Sequence, residues 1–301
     1  LLHQPARDTR ARIDVPGAVA ATAGLFAIVY GFSSAESNGW GEPITIVSLA
    51  AGVVILAAFV WIERRVAQPL LPMRVVRDRT RAGSYLAVAT VGAGMFGAFL
   101  FLTYFMQETL GLSPVQTGLA FLPMVVGIVF AANLTSRVLL AKVGPRPIVP
   151  VGMLLAMGGM LSFTGLGLDS EYASGILPGL VVLGLGMGAV MAPSMSSATA
   201  GVDHGDSGVA SAMVNTGQQV GGSIGTAFLS SIAASAVTSF MADAGAGATP
   251  AAMAEAAVHG YTTAFWWSAA VFAVGAVVSA LLLQSGAAAA PAPGAEPVPA
   301  H

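Results

Sequence analysis

The sequence predicts an all-α membrane protein that crosses the bilayer eight times, and three observations carry that expectation. The first is composition. Of 301 residues, 55% are hydrophobic and only 9% charged, whereas a water-soluble domain spends about 25% on charge. So few charges cannot cover a surface that faces water. The second is a series of apolar runs, each near the 20 residues that a hydrocarbon core about 30 Å thick requires of a helix. The third is where the cations lie: all twelve Lys and Arg fall in three places, before the first run, between the second and third, and at the junction of the fourth and fifth.

The opening segment, 1–14, reads "LLHQPARDTRARID". It is polar and basic, unlike a signal peptide, and its first residue is Leu rather than Met, which points to a piece of a longer chain. The first apolar run, α1 (15–35), follows, and α2 (44–62) closes a pair. An Arg-rich linker (63–83) leads to α3 (84–107). The spacing in "LSPVQTG" starts α4 (114–140). Ser113 is the N-cap, Pro114 fits the first helical position, and Gln116 completes a capping box. Pro123, about two turns on, predicts a kink because it lacks an N–H and its ring crowds the preceding turn.

Four further runs complete the series. They are α5 (148–168), α6 (176–200, with Pro178 near its start and Pro193 inside it), α7 (207–235) and α8 (262–284). Between α7 and α8 a long loop, 236–261, contains "TPAAMAEAAVHG", which predicts a short surface helix capped by Thr249 with Pro250 first. The Ala/Pro-rich tail, 285–301, has nothing to pack and is expected to be disordered.

The charges test this segmentation. Arg7, Arg10 and Arg12 precede α1. Arg64, Arg65, Arg74, Arg77, Arg79 and Arg81 lie between α2 and α3, and Arg137, Lys142 and Arg146 mark the α4–α5 junction. The alternate loops carry only acids, among them Glu36, Glu42, Glu108, Asp169 and Asp243. If the chain crosses at every run, all cations land on one side. By the positive-inside rule that side is cytoplasmic, with both termini there. The α6–α7 loop and the tail fall on the same side without a Lys or Arg.

Several functions are disfavoured. A net charge of −2 gives nucleic acid no footing, and the absence of cysteine removes disulfides, thiolate zinc ligands and thiol catalysis. The four histidines (His3, His204, His259, His301) sit in loops or tails. No Ser/His/Asp grouping, metal-spaced His or paired carboxylates come together, so the chain is read as a non-enzyme. No charged residue lies near the middle of a span, so the usual mark of a proton relay is missing too.

What the spans do carry is neutral polarity. On a helix at about 100° per residue, Ser211, Asn215, Gln218 and Gly222 share one sector of α7, with Gln219 at its edge. Gly217, Gly221 and Gly225 form a second stripe roughly 110° around. The glycines suit a close helix crossing. The amides need partners or water, because unpaired amides in hydrocarbon cost several kcal/mol. Two alternatives stand: they bond to adjacent helices as packing contacts, or they line a substrate path.

On α3, Thr103, Tyr104 and Gln107 lie near the outer end, where an interfacial role competes with cavity contact. Met95, Phe96, Phe99 and Met106 form either an adaptable apolar surface for ligands or ordinary packing. On α6, Gly184, Gly186 and Gly188 permit tight crossing, and Ser194, Ser196 and Ser197 are expected to bond back to their own helix.

Taken together, these segments resemble the major facilitator superfamily, and within it the fourteen-span drug:proton antiporters of the EmrB/QacA type. "AKVGPRPIVPVG" (141–152) is similar to the degenerate second copy of that family's cytoplasmic loop motif, with Lys142, Gly144 and Arg146 matching and Ala141 in place of the usual Asp. "ETLGLSPVQTGLAFLPMVVG", the stretch from "GLGMGAVMAPSM" through "NTGQQVGGSIGTAF", and "IDVPGAVAATAGLFAIVYG" carry the rest of the likeness. The resemblance implies a C-terminal six-helix bundle (84–284) of 3+3 inverted repeats preceded by two extra transmembrane helices (15–62).

It further implies that α3 and α6 line a cavity, that α4 and α7 flank it, and that α5 and α8 face lipid. The substrate-cavity candidates are Phe99, Thr103, Tyr104, Gln107, Asn215, Gln218 and Gln219. The implied function is proton-coupled efflux of amphipathic drugs or toxic metabolites by alternating access in the cell membrane, with a proton gradient and no cofactor. The partners would be the lipid bilayer, small amphipathic substrates and a missing N-terminal six-helix half that holds the coupling acids. A non-transporting membrane scaffold or sensor is the alternative.

Overall fold

A computed structural model describes residues 14–66, 71, 77–202, 206–243 and 249–284. The basic segment before residue 14, most of the 66–76 stretch of the Arg-rich linker and the 285–301 tail lie outside the described residues. Among the described residues all regular structure is helical, and eight helices are long and apolar enough to cross a membrane. They are α1 (Val15–Asn38), α2 (Pro43–Glu63), α3 (Arg79–Thr109), α4 (Pro114–Val143), α5 (Pro145–Phe163), α6 (Tyr172–Thr199), α7 (Ser207–Asp243) and α8 (Pro250–Leu282).

Local chemistry sets the ends. The Asp14 carboxylate accepts from the Gly17 amide at 2.9 Å, and Asp78 accepts from Arg81 N at 2.9 Å, each satisfying an amide that a helix start leaves free. The capping box before α4 is formed as its spacing predicts. Gln116 N donates to Ser113 Oγ at 3.3 Å and Ser113 N donates to Gln116 Oε1 at 2.8 Å. The α4 helix breaks at Phe121, two residues before Pro123, where a proline can no longer extend the helical ladder. Gly144, with φ of +72°, turns the chain from α4 into α5, a conformation that side chains with a Cβ rarely adopt.

Three wide π turns interrupt the helices at Phe105–Thr109, Thr135–Leu139 and Tyr172–Ile176. Nothing in the residue pattern had marked them. The α7–α8 connection also differs from expectation. The α7 helix runs to Asp243, and Thr249 caps a helix that continues without a break through residue 282. The predicted short surface helix is therefore the first part of α8. The end of α7 and the start of α8 pack as a hairpin, with the Gly260 Cα beside Ala233 and Val237 and the His259 ring 5.1 Å from that of Phe240.

The six helices α3–α8 pair with a two-fold pattern. α3 packs on α7 as α6 packs on α4; α3 packs on α8 as α6 packs on α5; α3 meets α6, and α5 meets α8. Exchanging the first three helices for the last three preserves every one of these pairs, which is the signature of an internal 3+3 repeat. The core between them is apolar and holds Phe105, Phe163, Phe265 and Phe272 with essentially no exposure. Arg81 donates to the carbonyls of Ala200 and Gly201 at 3.1 and 3.0 Å. The start of α3 and the end of α6 therefore lie at one face of the bundle.

The α1–α2 hairpin stands beside this bundle. α1 packs on α7, and Trp40 Nε1 donates to Ser231 Oγ at 2.7 Å.

Candidate functional site

The candidate site is organised by the crossing of α3 and α7, which glycine brings to backbone contact. A methyl group added at Gly221 would overlap the Ala89 carbonyl oxygen, and one at Gly225 would overlap Ala93. From the other side, a methyl at Gly92 would overlap the Gln218 carbonyl oxygen. Gly217, at the N-terminal end of the stripe, is looser, with the Tyr85 carbonyl 3.4 Å from where a Cβ would stand. α6 crosses α4 in the same manner, with Gly184 against Met124 and Gly188 against Ile128.

The amides flank this seam. Asn215 and Gln219 are exposed and Gln218 is half-buried. None of the three side-chain amides hydrogen-bonds to a described residue. Gly222, which shares their sector in the sequence pattern, belongs to the packing instead: a Cβ there would stand 2.5 Å from the Phe96 ring. Asn215 and Gly222 lie about two turns apart on nearly the same bearing. The Phe96 ring, 39% exposed, therefore lies on the same flank of the seam as the amides.

From Phe96 the face continues along α3. Phe99, one turn on, sets its ring 4.5 Å from that of Phe121 at the break in α4. Thr103 follows on the same stripe and is half-buried. Gln107 lies in the π turn that ends α3, also half-buried. α3 and α7 run in the same direction along the seam, with Tyr85, Ala89 and Ala93 level with Gly217, Gly221 and Gly225. Only Phe96, at Gly222, comes near the amide sector, and Phe99, Thr103 and Gln107 lie progressively farther along α3 from Asn215 and Gln219.

Other candidates part from this group. Tyr104 is exposed but turns toward α8, its ring 6.2 Å from that of Tyr261, whose hydroxyl donates to Glu108 Oε2 at 2.9 Å. Adjacent residues on a helix point about 100° apart, so Thr103 and Tyr104 cannot share a face. Met106 is fully buried in the core and is not part of any ligand surface. The Ser194 hydroxyl, expected to bond back to its own helix, is buried without a hydrogen-bond partner.

Among the loop-motif residues, Lys142 is exposed at the end of α4, Gly144 makes the turn, and Arg146 is the second residue of α5.

Comparison with known proteins agrees with this architecture. Residues 15–226 match the family model described as Major Facilitator Superfamily. The puromycin resistance protein pur8 of Streptomyces alboniger is 42% identical over 95% of this chain and 57% of its own length. The cephamycin export protein CmcT of Amycolatopsis lactamdurans is 37% identical over 75% of this chain and 47% of its own. The lincomycin resistance protein of Streptomyces lincolnensis is 33% identical over 76% and 47%. The chain spans about half the length of the curated relatives it matches.

Among solved structures, a bacterial homologue of the human lysosomal transporter Spinster superposes with a TM-score of 0.54. It is 14% identical and covers 87% of this chain and 66% of the other, a likeness of fold. With eight membrane-length helices, a two-fold six-helix bundle and relatives that are drug-resistance and export proteins, the chain belongs to the major facilitator superfamily of membrane transporters.

Proposed function

We propose that this chain is the C-terminal part of a proton-coupled drug exporter of the fourteen-span EmrB/QacA type, working by alternating access. In this reading α1 and α2 are the two central extra helices and α3–α8 form one of two rocking halves. The N-terminal half supplies the acids that carry protons. Phe96 with Asn215, Gln218 and Gln219 toward the start of α7, and Phe99 and Thr103 farther along α3, are this half's share of the substrate path, and both termini lie in the cytoplasm of a cell-membrane protein.

One observation carries the reading: three amides of α7 have no hydrogen-bond partner among the described residues, although the neighbouring glycine seam is packed to backbone contact. Amides that served only to join helices would be bonded across that seam. Left open, they are groups that a water-filled path or an amphipathic ligand can satisfy. A face with amides and aromatic rings but no charge suits the uncharged hydrogen-bonding parts of a substrate, with no penalty for a desolvated ion.

The test is export by the protein expressed from its complete gene, measured with several fluorescent dyes with and without a protonophore. Proton-dependent export is expected, and Asn215→Ala and Gln219→Ala should cut it several-fold for at least one dye. Because both side chains are exposed and unbonded, stability should change by no more than about 0.5 kcal/mol. Correctly inserted protein that exports none of the dyes would favour a scaffold or sensor. Export indifferent to both substitutions would remove α7 from the path.

A further inference from the structure

On the side of the bundle away from the α3–α7 seam, α4 leaves an apolar groove against α5 and α6. The part nearest Lys142 encloses about 440 Å³, with Phe130, Leu134, Val143, Val151, Leu155 and Leu185 among its walls. A second part, of about 570 Å³, continues along α4 toward its start past Val126 and Leu122. Phe130 and Leu185 line both parts, and no residue of α3, α7 or α8 lines either. The groove is therefore separate from the candidate substrate face.

Its chemistry is one-sided. The hydroxyl of Thr135, which lines the first part, is spent inside its own helix, donating to the Ala131 carbonyl at 2.7 Å. The walls thus offer a ligand no hydrogen-bonding side chain. A polar drug would surrender its bonds to water there without replacement, while a hydrocarbon chain would lose nothing. The walls run along α4 from Leu119 to Val143, a length comparable to the bilayer's hydrocarbon core of about 30 Å.

Charge gathers at one end only. In sequence, Lys142 adjoins the wall residue Val143 and Arg146 adjoins the wall residue Pro147, while Arg137, two residues from the wall residues Thr135 and Leu139, belongs to the same end but the other face of α4. Arg137 and Lys142 are exposed. No acidic residue lines the groove.

We propose that this groove is a binding site for an anionic phospholipid of the leaflet on the Lys142 side. One acyl chain lies along α4 between α5 and α6, and the phosphate sits against Lys142 at that mouth, with Arg146 at the start of α5 on the same side. Basic pockets between transmembrane helices hold anionic headgroups for the same electrostatic reason. The commitment to a lipid follows from the pairing of a long unpolar trough with cations at one mouth. It holds whatever the transporter carries.

The experiment uses the protein expressed from its gene, purified with equal amounts of palmitoyl-oleoyl phosphatidylglycerol and phosphatidylcholine. Native mass spectrometry then counts the lipids retained. Phosphatidylglycerol should be kept in preference. Lys142→Gln should cut that preference about 5-fold, the worth of one basic group at the surface, and Lys142→Arg should restore it.

Val151→Trp, on the exposed rim, should evict one lipid of either headgroup. Leu155→Trp, one turn further, is the second blocking variant, and each is compared only where its unfolding temperature matches the wild type. Three results would overturn the proposal: equal retention of the two headgroups by the wild type, unchanged lipid counts in both tryptophan variants, or loss of a bound dye instead of a lipid from those variants.

Discussion

Gly221 and Gly217 occupy the same stripe of α7, yet the structure assigns them opposite responses to one added methyl group. At Gly221 the new Cβ would overlap the Ala89 carbonyl oxygen and stand 2.7 Å from the Ala89 Cα and carbonyl carbon. These are backbone atoms and cannot rotate away. To reach ordinary contact the helices must part by most of an ångström, loosening the neighbouring contacts at Gly92 and Gly225. Overpacking on this scale costs about 1–3 kcal/mol, which outweighs the roughly 1 kcal/mol that alanine gains over glycine inside a helix.

At Gly217 the nearest atom is 3.4 Å from the Cβ position, so the packing cost is small and the propensity gain remains. Gly221→Ala should therefore lower stability and Gly217→Ala should hold or raise it. Thermal unfolding of the purified variants, each followed by size-exclusion chromatography, measures both. If the two substitutions shift the transition in the same direction by similar amounts, the seam is not set by backbone contact at Gly221 and the packing argument fails.

Two further predictions concern the ends of helices. Ser113→Ala removes the side-chain acceptor that Gln116 N uses at 3.3 Å. The loss should destabilise the first turn of α4 by about 1 kcal/mol and speed amide hydrogen exchange of Gln116 about 5-fold, so unchanged exchange there would contradict the capping assignment. Trp40→Phe keeps an aromatic ring but deletes the donor to Ser231. In a double-mutant cycle with Ser231→Ala the coupling should be about 1 kcal/mol. A coupling near zero would mean that this bond does not hold the α1–α2 hairpin to the bundle.

Much of this protein was decided by its sequence. Scarce charge and apolar runs of bilayer length leave lipid as the only solvent that satisfies the chain, and every backbone amide in lipid must then be bonded within a helix. The "LSPVQTG" cap, the turn at Gly144 and the stripe Gly217–Gly221–Gly225 are local in origin, since each depends on residues within a turn or two, and the structure carries all three. The break in α4 was legible for the same reason, because a proline acts on its own preceding turn.

Tertiary structure decided what depends on a neighbour. Helix periodicity already sets Thr103 and Tyr104 on different faces, but only the position of α8 decides that Tyr104 meets Tyr261. Gly222 looked like a member of the amide sector until the Phe96 ring settled over it. The end of α7 and the start of α8 remain helical where each covers the other, a contact between residues that the chain keeps apart. The three π turns and the buried hydroxyl of Ser194, which has no partner among the described residues, are features that residue periodicity does not record.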